Sequence, residues 1–138
     1  MKSITGEAEF IIGIDFGSSE TSAAFCDLKS GYKKDLDILP GLKVIQSAVA
    51  ILAQDGKETI CIGEAAIQNA SYSKEFQIGF RKRPSEMNLS ERNRMVAFMH
   101  GVYIEILHRH PDFATRPHVV YMQGIHQTCF LKKRKRNT

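Results

Sequence analysis

Two short apolar runs joined by a tight polar turn constrain the fold of this chain more than any other feature. The first run, residues 9–15, has the sequence EFIIGID, and the second, residues 21–28, has the sequence TSAAFCDL. Both have the length of a β-strand, and the FGSSE turn between them leaves room only for a direct chain reversal. The pattern predicts an antiparallel hairpin, whose Ile-rich first strand we expect to be buried on both faces.

More β-structure is predicted beyond this hairpin. Residues 29–42 are polar and indicate a loop with room for one short strand. The apolar runs 46–54 and 59–62 flank Asp55-Gly56, a pair that is strongly favoured in two-residue hairpin turns. The first half of the chain is therefore predicted to be rich in β-strands.

The pattern changes after residue 62. The segment GEAAIQNAS, residues 63–71, has helical propensity over about two turns, and residues 71–84 follow as a polar, basic connection. A long helix is predicted over residues 89–110, because Asn88 and Glu91 have the spacing of a capping box and Pro111 would end the helix. Its apolar side chains recur at three- and four-residue steps. HVVYM, residues 118–122, is predicted as one more buried strand.

Composition and charge exclude several classes of protein. The chain has 138 residues, of which 43% are hydrophobic and 25% charged, as in ordinary globular domains. Its net charge of +4 comes from the basic run KKRKR, residues 132–136, so the rest of the chain is close to neutral. Five charges without interleaved aromatic residues are a weak signal for nucleic acid, and no apolar run is long enough to cross a membrane. We expect a cytoplasmic protein that binds neither nucleic acid nor membranes.

Cysteine and histidine residues give no metal or redox motif. Cys26 and Cys61 lie in apolar runs where a free thiol is expected to be buried as a small hydrophobic side chain. The third cysteine, Cys129, has only His126 nearby, and no C-x-x-C or H-E-x-x-H spacing occurs. The remaining candidate histidines are His108, His110 and His118. We therefore expect free thiols and no site for a transition metal.

The turn after the first strand carries the candidate chemistry. Asp15 ends the strand, and Gly17, Ser18 and Ser19 form the turn. Glycine permits close approach of the backbone to a phosphate, turn N–H groups and hydroxyls donate to phosphate oxygens, and a carboxylate positions Mg²⁺ or its waters. A plain hairpin turn explains the same residues, so spacing alone leaves both interpretations open.

The segment IGIDFGSSETSAAF resembles the first phosphate-binding hairpin of the superfamily of actin, sugar kinases and heat-shock ATPases, which carry I-G-I-D-x-G-T-T there. A later segment, residues 46–67, resembles the corresponding stretch of the 70-kDa heat-shock chaperones. Its sequence is QSAVAILAQDGKETICIGEAAI, with Gln46 where the chaperones usually have Pro. The resemblance covers about residues 9–122. It implies a ribonuclease H-like α/β lobe, with a mixed sheet, antiparallel leading hairpins and one long helix.

The resemblance also implies ligands and roles. ATP or ADP with Mg²⁺ would bind at Gly13, Asp15, Gly17, Ser18 and Ser19, with Asp15 holding the metal through water. A basic residue in the sequence FRKRP would assist phosphoryl transfer, and Arg81 and Lys82 are equal candidates for this catalytic role. A solvated basic loop is the alternative interpretation of these two residues. Clients and co-chaperones are implied as partners by the resemblance alone.

The family pattern stops at residue 122, before the second phosphate hairpin, the second lobe and the peptide-binding domain. We therefore expect one nucleotide-binding lobe, residues 1–122, with weak binding and little or no hydrolysis, followed by an atypical basic tail, residues 123–138. A frameshift in a longer gene, a disordered end and a native short protein are the alternatives for this tail. A dimerisation or interaction module and an actin-like filament protein are the alternative functions.

Overall fold

A computed structural model describes residues 8–124 of the chain as a mixed α/β structure with two sheets and one long helix. The strands are β1 (Phe10–Phe16), β2 (Glu20–Asp27), β3 (Lys33–Leu36), β4 (Val44–Gln46), β5 (Ala48–Gln54), β6 (Lys57–Ile62), β7 (Glu75–Ile78) and β8 (His118–Gly124). The α-helices are α1 (Glu64–Gln68) and α2 (Leu89–Arg109). Short 3₁₀ turns cover Ala70–Tyr72, Pro84–Glu86 and Pro111–Thr115.

The larger sheet has the strand order β3-β2-β1-β8, and β4 also pairs with β2. β1 and β2 form the predicted antiparallel hairpin, in which Phe16 faces Thr21 across the turn. β8 returns parallel to β1, with Phe10 beside His118 and Phe16 beside Gly124. The chain between β1 and β8 contains α2, as parallel pairing requires a crossover connection. β8 runs two residues beyond the predicted strand.

The smaller sheet has the order β6-β5-β7 and confirms the predicted hairpin at Asp55-Gly56. Both turn residues have positive φ, 53° for Asp55 and 75° for Gly56, which is the conformation of a type I′ turn. The prediction that residues 71–84 form only a connection is wrong, because β7 pairs with β5 there. Its side chains are only half-buried or exposed, so β7 has no continuous apolar run by which sequence could show it.

The long helix agrees with its prediction. Asn88 accepts a hydrogen bond from the Glu91 backbone N–H at 2.8 Å, and the Glu91 carboxylate accepts one from the Asn88 N–H at 3.1 Å. These hydrogen bonds satisfy N–H groups that the first helical turn leaves without partners. The helix ends at Arg109, before Pro111. None of the helices in the described part of the chain is long and apolar enough to cross a membrane.

The core lies between the larger sheet and α2. From the sheet it contains Phe10, Ile12, Ile14, Phe16 and Phe25, and from the helix it contains Met95, Phe98, Val102 and Ile106. Gly101 lets the helix approach the smaller sheet, since a Cβ there would lie 2.7 Å from Cγ2 of Ile62. The smaller sheet packs α1 on its other face, where Ala48, Ala50 and Ala66 are buried together.

The opposite face of the larger sheet is not covered in the same way, and we call it the open face. It comprises Ile11, Gly13, Asp15, Ser22, Ala24, Cys26, Val119, Tyr121 and Gln123. These residues are half-buried or exposed, whereas β1 residues on the core side are buried. The prediction that β1 is buried on both faces is therefore wrong. The Ile-rich run suggested two buried faces, but the small and polar residues at alternate positions line an open surface.

Candidate functional site

The turn between β1 and β2 is formed by Gly17, Ser18 and Ser19. The Gly17 N–H donates to the Glu20 carbonyl oxygen at 3.0 Å and closes the hairpin. A Cβ on Gly17 would collide with this same oxygen. Glycine is therefore required here to form the turn itself, in addition to any role in close approach to a ligand.

Hydrogen bonds from other segments hold all three turn carbonyls. The Ser47 hydroxyl donates to the Gly17 carbonyl at 2.8 Å, and the Ser47 N–H donates to the Ser19 carbonyl at 2.8 Å. The Phe80 N–H donates to the Ser18 carbonyl at 2.9 Å. Because the Gly17 and Ser18 carbonyls are directed into the protein, the N–H groups of Ser18 and Ser19 in the same peptide planes are directed outward, which favours an anion. Among the described residues, no hydrogen bond has the N–H or hydroxyl of Ser18 or Ser19 as its donor.

Ser47 organises this turn and was not predicted as a site residue. It lies between β4 and β5 and is fully buried. Its hydroxyl hydrogen is used on Gly17, so the Thr21 hydroxyl donates to Ser47 Oγ, at 2.8 Å. Thr21 is also buried. The available sequence signal was a lone serine at the start of the apolar run 47–53, where a buried hydroxyl needs a partner.

Asp15 lies on the open face, directly before the turn. It is exposed and is paired in register with Ser22 on β2 and Gln123 on β8. Gly13 is on the same face two residues earlier, and a Cβ there would meet only the Ala24 carbonyl, at 4.0 Å. A shallow pocket of about 290 Å³ lies over these residues, with Tyr121 and Asp35 also in its lining.

One carboxylate could hold Mg²⁺ only together with water and ligand oxygens. No group of three potential metal-ligating side chains occurs within residues 8–124. Mg²⁺ usually keeps several waters and binds proteins through one or two carboxylates plus substrate phosphates. The donor set, an exposed carboxylate next to a turn with outward N–H groups, fits a metal that arrives with a phosphate ligand.

Arg81 and Lys82 point to different places. The Lys82 ammonium lies 3.1 Å from Glu91 Oε1 at the start of α2. Arg81 folds back over Gly79, where an added Cβ would lie 3.6 Å from Arg81 Nε and 3.5 Å from the Ser18 carbonyl. The Gly79 N–H donates to the Ser47 carbonyl at 2.8 Å, which joins this segment to the turn. Of the two basic candidates, only Arg81 is beside the turn.

Within residues 8–124, no hydrogen bond connects a cysteine or histidine to this turn. Cys26 and Cys61 are free and half-buried, so they are less buried than predicted. Burial raises the pKa of the Cys61 thiol. His118 bonds to the Tyr103 hydroxyl at 2.8 Å and to the Arg116 carbonyl at 2.7 Å. His126 and Cys129 lie outside the described residues, as does the basic run.

Comparisons with known proteins find similarity among solved structures. No protein-family profile matches the chain, and no curated protein matches it. Among solved structures, the chain is similar to a non-polymerising mutant of MamK bound to AMPPNP, with 15% sequence identity and a TM-score of 0.47. The superposition covers 95% of this chain, which spans 38% of the length of that structure.

Proposed function

We propose that the turn Gly17–Ser18–Ser19 binds the phosphates of a Mg²⁺-bound nucleotide, ATP or ADP. The observation that carries this proposal is the direction of the turn's peptide groups. All three carbonyl oxygens accept hydrogen bonds from inside the protein, so the N–H groups and hydroxyls of Ser18 and Ser19 remain for a ligand, whereas the Gly17 N–H closes the hairpin. A preorganised set of donors loses little entropy on binding an anion and favours phosphate over neutral ligands.

Each residue at the turn would have a distinct role in binding. Ser18 and Ser19 would donate to phosphate oxygens, and Gly17 would keep the turn tight. Asp15 and water would hold the magnesium ion, which when bound would neutralise phosphate charge. Gly13 would leave space for this ion beside the strand. Arg81, rather than Lys82, would face the phosphates, because Lys82 is engaged by Glu91.

The proposed fold family rests on strand order and on the resemblance. Three antiparallel strands, β3-β2-β1, followed after a long helix by a strand parallel to β1, support a ribonuclease H-like lobe. With the motif IGIDFGSS, this order favours the superfamily of actin, sugar kinases and heat-shock ATPases. The relation to heat-shock chaperones, with clients and co-chaperones as partners, is a finer proposal that rests on the sequence resemblance alone.

Residues 8–124 would supply one side of a nucleotide site. Asp15 and Ser19 are exposed and Gly17 and Ser18 only half-buried, so water would not be excluded from the phosphates. Positioning and desolvation of an attacking water supply much of an enzyme's rate enhancement. We therefore expect weak binding, with a dissociation constant of about a millimolar, and little or no hydrolysis by this lobe alone.

The test is calorimetric titration of Mg²⁺-ATP into the full chain and into Asp15→Asn and Arg81→Ala. Each variant loses a charge-assisted contact, so its affinity should fall roughly tenfold or more. Asp55→Asn is the matched control for Asp15→Asn, because it makes the same change at a different hairpin and keeps a residue that tolerates positive φ. Lys82→Ala is the control for Arg81→Ala.

Two results contradict the proposal. One is no heat of binding at millimolar Mg²⁺-ATP in the unmodified protein. The other is an equal loss of affinity in Asp55→Asn and Asp15→Asn, which would mean that general charge, not the turn, attracts the ligand.

A further inference from the structure

The outer edge of β8 lacks the features by which edge strands usually avoid pairing with another chain. Within residues 8–124, β8 pairs with β1, and no strand pairs with its other side. The strand has seven residues, HVVYMQG, without lysine, arginine, carboxylate or proline. An edge presents a row of N–H and C=O groups, and charged side chains, proline and short length are the usual protection. This edge can therefore accept one more strand.

The other edge strands in the described part of the chain are short or charged. β3 and β7 have four residues each, and β4 has three. β3 contains Lys33, Lys34 and Asp35, and β6 begins with Lys57 and Glu58. β8 is longer than any of these strands and contains no charged residue of these types. Its edge thus differs from the others in the same molecule by the features that prevent pairing.

Alternation along the sheet determines which peptide groups of β8 face outward. The Gly17 N–H donates to the Glu20 carbonyl, so odd-numbered residues of β1 direct their peptide groups toward β2. The even-numbered residues of β1 therefore bond to β8. Because Ile12 is beside Val120 in the parallel register, its partners are the odd-numbered neighbours of Val120. Val120 and Met122 consequently direct their N–H and C=O groups away from β1.

The side chains of β8 are complementary to a second copy of the same strand. In antiparallel pairing centred on Tyr121, Val119 opposes Gln123 of the other copy, and Val120 opposes Met122. Val120 and Met122 are half-buried on the core side, and Tyr121 is 37% exposed. Tyr121 would face its own copy at a non-hydrogen-bonded position, where side chains are closest and aromatic pairs stabilise the sheet. No charge opposes a like charge in this arrangement.

The helix beside β8 also has apolar side chains that residues 8–124 do not cover. The Tyr103 hydroxyl bonds to His118 at 2.8 Å, which places this side of α2 next to the strand. Met99, one turn earlier on the same side, is half-buried, and Val96, a further turn earlier, is 60% exposed. A two-fold axis through the strand pair keeps both helices on the same side of the joined sheet, so each copy would shield this stripe of the other.

We propose that two copies of this chain pair antiparallel through the outer edges of β8, with Tyr121 of each copy at the two-fold axis. The two larger sheets then form one continuous sheet. The turn residues Gly17, Ser18 and Ser19 take no part in this contact, so it does not rest on nucleotide binding. Because one strand edge buries less surface than a standard interface, we expect a dissociation constant of about 10 μM.

Sedimentation velocity of the full chain over a range of concentrations is the first test. Tyr121→Lys and Tyr121→Glu each place like charges opposite one another, so each should raise the dissociation constant at least about tenfold. An equimolar mixture of the two opposes Lys to Glu and should dimerise again. Ile78→Lys and Ile78→Glu, at a position that is 54% exposed on the edge strand β7, are the controls and should dimerise like the unmodified protein.

A disulfide test checks the register without a charged variant. The background carries Cys26→Ser, Cys61→Ser and Cys129→Ser. In it, Tyr121→Cys would face its own copy with a Cα separation of about 4.5 Å, which a disulfide can bridge. Val119→Cys, on the same face, would lie about 13 Å along the strand from its copy, which a disulfide cannot bridge. We expect disulfide-linked dimers to form at least about tenfold faster from Tyr121→Cys.

Four results overturn the proposal. The first is a monomer at all concentrations up to about a millimolar, and the second is unchanged dimerisation in the Tyr121 variants. The third is a mixture of Tyr121→Lys and Tyr121→Glu that stays monomeric although both variants keep the circular dichroism spectrum of the unmodified protein. The fourth is disulfide formation by Val119→Cys as fast as by Tyr121→Cys, since that would place another surface at the contact.

Discussion

Replacing Ser47 by Ala should both destabilise the protein and loosen the turn formed by Gly17, Ser18 and Ser19. The serine hydroxyl donates to the Gly17 carbonyl and accepts from the Thr21 hydroxyl, each at 2.8 Å, in a fully buried position. The substitution leaves the buried Thr21 hydroxyl and the half-buried Gly17 carbonyl without these partners. Each net hydrogen bond contributes about 1 kcal/mol, and each unsatisfied buried group costs about 1–3 kcal/mol.

We therefore expect Ser47→Ala to lower the free energy of unfolding by about 2–3 kcal/mol. Measured by urea denaturation, the midpoint should fall by roughly 1–2 M with an unchanged slope. Ser18→Ala in the same turn is the control, because its hydroxyl has no hydrogen bond within the described residues. Its free energy of unfolding should change by less than about 0.5 kcal/mol.

A double-mutant cycle isolates the energy of the hydrogen bond between Ser47 and Thr21 from the other effects of each substitution. Thr21→Val preserves shape and removes the hydroxyl that would otherwise be left without its partner in Ser47→Ala. The double variant should lose less stability than the sum of the two single variants, by about 1 kcal/mol. If the two losses simply add, or if Ser47→Ala changes the free energy of unfolding by less than about 0.5 kcal/mol, the hydrogen-bonded turn described above is wrong.

Two further predictions concern the long helix. Gly101→Ala should lower the free energy of unfolding by about 1–3 kcal/mol, because the added methyl group would lie 2.7 Å from Cγ2 of Ile62. This loss is expected although Ala favours the helix more than Gly does. His100→Ala, at an exposed position of the same helix, is the control in the same urea assay. Hydrogen bonds, first from the Asn88 backbone, hold the pKa of Glu91 below its ordinary value of 4.5, so the charge stabilises the fold above that pH. The difference in free energy of unfolding between the unmodified protein and Glu91→Gln should therefore be present at pH 7 and shrink as the pH falls through the lowered pKa. An equal difference at pH 7 and pH 3 would refute this role of the Glu91 charge.

The elements that could be predicted from sequence are those whose signals are local. Asn88 and Glu91 are three residues apart, and both capping hydrogen bonds connect that pair. Asp55-Gly56 likewise contains in two residues the positive φ values that its turn requires. The hairpin around Gly17 is likewise predicted by two apolar runs that are neighbours in the sequence.

The remaining parts depend on contacts between distant residues. Ser47 acts on a turn 30 positions earlier in the chain, and nothing within its own segment shows that connection. β7 becomes a strand because β5 offers an edge to pair with, although its own side chains are not continuously buried. The position of the Lys82 side chain likewise depends on a distant residue, Glu91, which belongs to the helix and pairs with this lysine.

The most direct measurement of the central claim is an amide NMR titration of the full chain with Mg²⁺-ATP. Binding at the turn predicts the largest shifts at the N–H groups of Ser18 and Ser19, with smaller ones at Gly13 and Asp15. Shifts concentrated instead in a separate cleft of about 630 Å³ that is lined by both basic and acidic residues, including Lys34 and His108, with Ser18 and Ser19 unmoved, would contradict the claim.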